Sequence, residues 1–393
     1  MILFQNDKQP IRDIDSEIFV FAALLLAIFT PNGFNFLPLM LGAAAEKFAL
    51  TSEQIESLTT WELVATSSAS VIFSLFLIRR VNWRHIGMAA AFLMVTMNVI
   101  CMTAGSFEEL LTYRIMNGIG QGIGYSLAIV GLSVSARPGK YFGWWIAAVN
   151  LWLSIWFFIL PQILNSLGLS ALFLFYAITA FLAIIVFWWY PDNGRLERDS
   201  QIQTQNAGLK HTFRQFLLPS LLVAAAIFIY HFSVGIVYPY LEIIGTNAQI
   251  DGERVGVIIS VGSVLAISTG FIAAWLDGRS NDRWVLGGVG LLQAIAIYTL
   301  ATVTDLNSFI FGAVLYLLGF NLYTAKVLTV MAKTDRSGYL ASFGPELQSM
   351  GIALGPVLAQ GLTVSGDYGG QIMVGMWAVV LGTGLVLVNN KKK

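Results

Sequence analysis

The sequence contains a single cysteine, Cys101, and three histidines. One cysteine excludes an internal disulfide, and so few cysteine and histidine side chains argue against a structural metal site. The phosphate-binding sequence G-x-x-x-x-G-K-[ST] does not occur, so ATP hydrolysis by that route is excluded. The net charge at pH 7 is zero, and nothing in the composition indicates nucleic-acid binding. We therefore predict no metal, no cofactor and no nucleic-acid partner.

Charged residues are also scarce, at 11% of the chain against about 25% in a soluble domain. Hydrophobic residues make up 56%, and the mean hydropathy is +0.72. They occur in runs of roughly 20 residues, the length that crosses a bilayer as a helix. The first apolar run is too long for a signal peptide. The sequence thus predicts an all-α integral membrane protein whose surroundings are the lipid bilayer.

The apolar runs predict twelve membrane-spanning helices in two halves. The longest polar segment lies between the sixth and seventh runs and predicts a cytoplasmic linker at 191–213. It separates an N-terminal six-helix bundle, residues 1–190, from a C-terminal one, residues 214–393. The spans are 17–42, 53–78, 84–104, 107–134, 141–163, 168–190, 214–241, 253–276, 282–302, 306–331, 337–363 and 370–389.

The placement of lysine and arginine supports this count. If both termini are cytoplasmic, 18 of the 22 lysines and arginines fall in cytoplasmic segments, two in outer loops and two inside spans. Positive residues are enriched on the cytoplasmic side of membrane proteins. We therefore expect cytoplasmic N- and C-termini in a plasma membrane, specifically the inner membrane of a bacterium.

Five ionisable side chains fall deep inside predicted spans: Glu62, Arg114, His231, Lys326 and Glu346. Such residues are costly in lipid and usually functional. At about 1.5 Å per residue, Glu62 and Arg114 lie at one depth, and Lys326 and Glu346 at another. We expect two ion pairs, whose acids can exchange protons if their surroundings change. The alternative is a pair of static braces between helices.

His231 offers a second way to bind a proton or a ligand, since histidine titrates near neutral pH. The alternative is a neutral ring bonded to a backbone carbonyl. We predict proton coupling by Glu62, Arg114, His231 and Glu346.

Polar residues near the middle of several spans predict a solute site there. Span one contains Pro31–Asn35, which interrupts the helix, and we expect a similar kink around His231 and Gly235 in span seven. Transporter sites lie at this level between repeats, although kinks without ligand contact are the alternative. The candidate solute-binding residues are Asn32, Asn35, Arg114, Asn117, Gln121, Asn150, Tyr230, His231, Asn321, Tyr323 and Lys326.

Two local patterns, with the twelve spans, resemble the major facilitator superfamily. In span four, Arg114 precedes glycines at 118, 120, 122 and 124, as in the family's arginine- and glycine-rich motif. Because these glycines fall on two faces of the helix, other helices can approach its backbone. The loop after span eight resembles the family's G-x-x-x-D-R-x-G-R-R motif, which implies a charge latch at the inner gate. Its gating residues are Asp277, Arg279 and Arg283.

The resemblance implies a secondary active transporter that works by alternating access as a monomer. Arg114, Lys326 and His231 favour a small anionic or zwitterionic organic solute, with protons as the coupling ion. Proton-driven efflux of amphipathic compounds is the alternative, although span five lacks the antiporter motif G-x-x-x-G-P, which occurs instead at Gly351–Pro356. We find no catalytic constellation and predict no enzyme activity. A receptor of transporter ancestry is a further possibility.

Overall fold

The structure is a computed structural model that describes residues 16–78, 80–133, 138–192, 210–276, 279–334, 344–359 and 368–389. Within these ranges, nine helices are long and apolar enough to cross a membrane. Shorter or less apolar helices lie at 17–48, 52–77 and 344–359. The architecture is all-α and is consistent with twelve spans.

The first part of the chain forms eight α-helices, and α4 continues into a π-helical turn at Phe73–Leu77. They are α1 Glu17–Phe29, α2 Asn32–Asn35, α3 Leu37–Phe48, α4 Ser52–Ile72, α5 Trp83–Cys101, α6 Phe107–Ser133, α7 Pro138–Leu167 and α8 Leu169–Phe187.

The second part forms seven more. They are α9 Lys210–Val237, α10 Leu241–Asn247, α11 Gly252–Leu276, α12 Asp282–Ala301, α13 Leu306–Thr334, α14 Gly344–Ala359 and α15 Gly369–Asn389. Helix α9 begins inside the predicted linker 191–213. Residues 193–209 of that segment lie outside the described ranges, so the linker stays a prediction.

Span one is interrupted at the predicted place. Helix α1 ends before Pro31, and α2 and α3 follow as separate helices. Side chains bind polar groups near the break: Tyr176 donates its hydroxyl to the carbonyl of Phe36 at 3.3 Å, and Trp152 donates to Asn32 Oδ1 at 3.1 Å. A broken helix is tolerated at membrane depth where protein groups bind the freed backbone.

The predicted kink around His231 and Gly235 is wrong. Helix α9 runs through both residues, and the interruption lies just beyond them, in a 3₁₀ turn at Tyr238–Tyr240 that contains Pro239. Proline lacks the backbone N–H that would continue the helical ladder. Gly235 has a packing role instead, because an added Cβ would overlap the carbonyl of Ile352 on α14.

The glycines of α6 allow two neighbouring helices to approach, as predicted. A Cβ on Gly118 would lie 2.7 Å from the carbonyl oxygen of Glu62 on α4, and one on Gly120 would lie 2.7 Å from that of Ala90 on α5. Real Cβ atoms do not approach backbone so closely, so only glycine fits. This packing brings the side chains of α4, α5 and α6 together around Arg114.

The two halves meet along two long helix pairs, α4 with α14 and α7 with α11. We call the membrane face at which α1 begins the near face, and the opposite one the far face. On the far side, α3 packs against α10, and a continuous buried core joins residues of both halves, among them Phe36 and Tyr240. The far side is therefore closed in this structure.

Candidate functional site

A cavity lies between the two halves near the middle of the helices. Its walls come from α1, α2, α4, α6 and α7 of the first half and from α9, α13 and α14 of the second, with Tyr238 of the 3₁₀ turn. The empty space is about 1110 Å³, including its open side. A cavity at a domain interface, of a size that holds a small molecule, is a candidate ligand site.

Six polar atoms in the cavity wall are buried and have no hydrogen-bond partner. Buried polar groups in proteins are normally bonded, so these atoms are available to a solute or to water. They include donors and acceptors, and no charged side chain is among the described lining residues. They are Asn35 Nδ2, Ser67 Oγ, Gln121 Oε1, His231 Nε2, Thr324 Oγ1 and Gln348 Nε2.

The ring of His231 is oriented by its own helix. Its Nδ1 lies 2.8 Å from the carbonyl oxygen of Ile227. Because a carbonyl only accepts, Nδ1 carries a hydrogen, and Nε2 of a neutral ring is an acceptor. The bond to a backbone carbonyl, the alternative to a ligand role, is thus present, yet His231 also lines the cavity.

An amide pair crosses between the halves in the cavity wall. Asn150 Nδ2 on α7 donates to Asn321 Oδ1 on α13 at 2.7 Å. Each amide nitrogen also donates to the carbonyl one turn earlier on its own helix, Ile146 for Asn150 and Leu317 for Asn321. Both side chains are thereby oriented towards the contact, and separating the halves at this level requires breaking it.

The expected contact between Glu62 and Arg114 is present, behind the cavity wall. Arg114 Nε donates to Glu62 Oε2 at 2.9 Å, and Nη2 donates to Oε1. Arg114 Nη1 donates to Asn98 Oδ1 at 2.9 Å, and Asn98 in turn donates to Asn117. Arg114 is fully buried and Glu62 is 1% exposed, so the pair is excluded from solvent and oriented by amides.

Gln121 connects this ion pair to the cavity. Its Nε2 donates to Glu62 Oε1 at 3.1 Å, while its Oε1 is unpartnered and the residue lines the cavity. Gly33 of α2 leaves room for this arrangement, because an added Cβ would lie 2.7 Å from Arg114 Nη2 and from Gln121 Oε1. A solute in the cavity therefore reaches the ion pair through a single amide.

Lys326 lies in a second ion pair, with Asp282 of α12, and the expected contact with Glu346 stays a prediction. Its Nζ lies 2.6 Å from Asp282 Oδ1, and the lysine side chain is 1% exposed. The side chain of Glu346 lies outside the described residues. Neither Lys326 nor Arg114 lines the cavity, so the two cations on which the anion prediction rested are both held by acids.

The remaining candidates lie away from the cavity wall. Tyr230 and Tyr323 stack with ring centroids 3.8 Å apart inside the second half. Asn32 and Asn117 are buried beside Trp152 and Asn98, respectively.

Of the candidate gating residues, Arg279 donates to the carbonyl of Trp275 at 3.0 Å, and Arg283 donates to that of Leu387 at 2.5 Å. Asp277 lies outside the described residues, so the gating latch stays a prediction.

Sequence reasoning missed three residues of these networks. Asn98 is an amide inside an apolar span, a signal that was visible in the sequence. Asp282 was not recognised because it lies beside the charged loop at the start of α12, where charge is expected. Tyr238 donates across the halves to the carbonyl of Asn35, and no local pattern indicates such a contact.

Comparisons with known proteins agree with this architecture. The Major Facilitator Superfamily model matches residues 22–356. A D-xylose-proton symporter superimposes with a TM-score of 0.70 at 13% identity, over 95% of this chain and 96% of that one. The xylose transporter XylE from E. coli, in a partially occluded inward-open conformation, gives 0.66 at 14%, over 98% and 100%.

The human organic anion transporter MFSD10 gives a TM-score of 0.63 at 15% identity, over 96% of this chain and 100% of that one. Comparison with curated protein sequences gave no match. At these identities the structural likenesses show the fold alone. Because the family model covers most of the sequence, the chain belongs to the major facilitator superfamily.

Proposed function

We propose that this protein is a secondary active transporter whose cavity binds a small, uncharged, hydrogen-bonding organic solute. The observation that supports this most is the set of six unpartnered polar atoms in the cavity wall, drawn from both halves. A solute that bonds to them is held by both halves at once. Rocking of the halves would then expose it to each side of the membrane in turn, which is alternating access.

The charge of the solute follows from the partners of the two buried cations. Arg114 is neutralised by Glu62 and Lys326 by Asp282, and neither pair lines the cavity. We therefore revise the expected anion or zwitterion to a neutral solute with several hydroxyl or amide groups. Two of the similar structures are named as xylose transporters, which is compatible with this class but does not select it.

Proton coupling is proposed at Glu62. Its carboxylate is held by Arg114 and by Gln121, and Gln121 lines the cavity. A solute that accepts or donates at Gln121 changes the bonds of Glu62, and thereby the balance between its charged and protonated forms. Solute and proton would thus affect each other's binding.

We further propose that the near face is cytoplasmic, because the lysine and arginine bias assigns the N-terminus to that side. The closed far side then lies at the outer surface of the membrane, and the structure corresponds to a state closed to the outside. A bacterial inner membrane and a monomeric state belong to the same proposal.

Efflux of amphipathic compounds is a second candidate, favoured by the aromatic part of the wall. Phe34, Tyr125, Trp145 and Phe320 line the same cavity, and aromatic rings bind apolar groups without fixed geometry. The two candidates differ in what should bind, since efflux predicts lipophilic cations or dyes and the first proposal predicts polyhydroxylated solutes.

Solute binding and counterflow test the proposal together. Purified protein is first screened by thermal shift against sugars and polyols, carboxylates, amino acids and lipophilic dyes, since a bound ligand raises apparent stability. Hits are then tested for counterflow in proteoliposomes. A neutral polyhydroxylated solute that stabilises and exchanges supports the proposal. Stabilisation only by carboxylates or by dyes overturns the substrate class, and binding without counterflow overturns transport and favours a receptor.

A further inference from the structure

A partly buried acid outside the proposed coupling site lies at the closed far side. Glu242 is in the first turn of α10, directly after the 3₁₀ break at Tyr238–Tyr240. Its carboxyl rests against Gly42 of α3, where an added Cβ would overlap Oε1. Helix α3 belongs to the first half and α10 to the second, so this carboxyl fills the contact between the halves.

One oxygen of this carboxyl is buried without a partner. Glu242 Oε2 has no hydrogen-bond partner among the described residues. A carboxylate buried in this way is costly, because it loses its hydration and gains no donor or cation in return. A protonated carboxyl in the same place carries no net charge and fits the closed contact at much lower cost.

Among the described residues, the charged and titratable groups around Glu242 do not offer it a counter-charge. From α3, Glu46 lies within electrostatic range, and Lys47 instead donates to the carbonyl of Ala104 at 3.5 Å. Tyr176 of α8 also lies within range. At the start of α11, the charged side chains of Asp251, Glu253 and Arg254 are exposed. At the start of α13, Asp305 accepts a hydrogen bond from Ser308. The titratable side chains of the 3₁₀ turn are those of Tyr238 and Tyr240.

The two helix breaks provide the means of opening. Span one continues as α3 after its interruption, and span seven continues as α10 after the 3₁₀ turn. The breaks contact each other, with the Phe34 and Tyr238 ring centroids 5.2 Å apart. Helix ends that follow interrupted backbone can move as short units while the remainder of each span stays in place.

We propose that Glu242 is a second proton-binding group, which holds α3 and α10 together when protonated and favours their separation when it loses its proton to water. This inference rests on the proposed alternating access and assigns to the far closure a proton site distinct from Glu62. Opening exposes the carboxylate to water, so the open state is the one that tolerates its charge.

The test measures the far side directly, without solute. Spin labels are placed at Thr103 and Thr302, exposed positions just beyond the far ends of α5 and α12 in opposite halves. Cys101 is fully buried, and protein without added cysteines serves as the labelling blank. We expect the label distance to lengthen in the unsubstituted background as pH rises from about 5 to about 9, and to stay short throughout in Glu242→Gln.

Two variants keep the result interpretable. Glu242→Asp retains a carboxyl and is expected to retain the pH response, whereas Glu253→Gln, at an exposed acid on the same side, should behave like the background. A pH response preserved in Glu242→Gln, or absent from the background, overturns the inference. Because no solute is present, counterflow still decides separately whether the protein transports.

Discussion

The guanidinium of Arg114 and the carboxylate of Glu62 form a two-bond ion pair between α6 and α4, in a place that solvent does not reach. The glycine face of α6 makes this possible, because α4 approaches so closely that the carbonyl of Glu62 lies beside Gly118. Asn98 fixes the remaining side of the guanidinium at 2.9 Å. The pair is therefore oriented on all sides before any solute binds, and its role can be tested by removing one charge at a time.

Glu62→Gln should abolish solute accumulation driven by a pH gradient while leaving counterflow of the same solute within about threefold of the parent. The amide keeps the shape of the side chain but cannot bind and release the coupling proton. Accumulation and counterflow are measured in the same proteoliposomes. Normal uphill transport in this variant would remove Glu62 from the coupling role.

Arg114→Met should lower the free energy of unfolding by about 3–5 kcal/mol, because it leaves Glu62 buried without its cation. Combining it with Glu62→Gln should recover most of this loss, since neither charge then remains. Unfolding in detergent is followed for the two single variants and the double variant. Additive losses in the double variant would mean that the two side chains do not stabilise each other.

Gln348→Ala should weaken binding of the neutral solute about five- to tenfold, the effect of one lost hydrogen bond of about 1 kcal/mol. Its Nε2 is among the unpartnered atoms of the cavity wall. Gln293→Ala is the matched control, because Gln293 is also buried but does not line the cavity. Equal losses of affinity in both, measured by calorimetry, would argue against the assigned cavity.

Gly122→Ala should lower stability and expression, because its Cβ would lie 2.9 Å from the backbone nitrogen of Ser70 on α4 and overlap the carbonyl of Thr66. Gly288→Ala is the control. It lies inside α12 with nothing near its added Cβ, and alanine there should gain up to about 1 kcal/mol of helix propensity. Thermal unfolding compares the two, and a Gly122 variant as stable as the control would contradict the tight crossing.

The start of α13 should lose protection at acidic pH. The pKa of Asp305 is lowered from the ordinary value of 3.8, first by the backbone N–H of Ser308 and also by the Ser308 hydroxyl. Because the folded-state pKa lies below the unfolded one, the stabilisation is present at neutral pH and is lost as pH falls through the folded-state pKa.

The loss of this stabilisation at the start of α13 is measured by hydrogen exchange of the backbone amides of Leu306–Phe309, corrected for intrinsic exchange rates. In Asp305→Ala, the same amides should lack protection from exchange at neutral pH as well. An acid-induced change that persists in Asp305→Ala would assign the effect to another group.

The membrane class, the approximate spans and the crossing face of α6 follow from the sequence, because they depend on local composition and on residue spacing along one helix. The start of α4 is another example. A threonine three residues before a glutamine is a helix-capping pattern, and Thr51 and Gln54 exchange hydrogen bonds at 3.0 and 3.3 Å. The ion pair of Glu62 with Arg114 could also be inferred, since two charges at one depth in lipid need each other.

Other features were decided only by the packing of the two halves. Arg114, Lys326 and Gln121 are all candidate solute-binding residues from the sequence, yet only Gln121 reaches the cavity, because the two cations are turned towards acids on neighbouring helices. The contact of Asn150 with Asn321 joins residues 171 positions apart. Helix periodicity fixes which way a side chain points from its own axis, but which helix stands opposite it is set by tertiary packing. The polarity of the cavity, and with it the proposed class of solute, therefore depended on the fold.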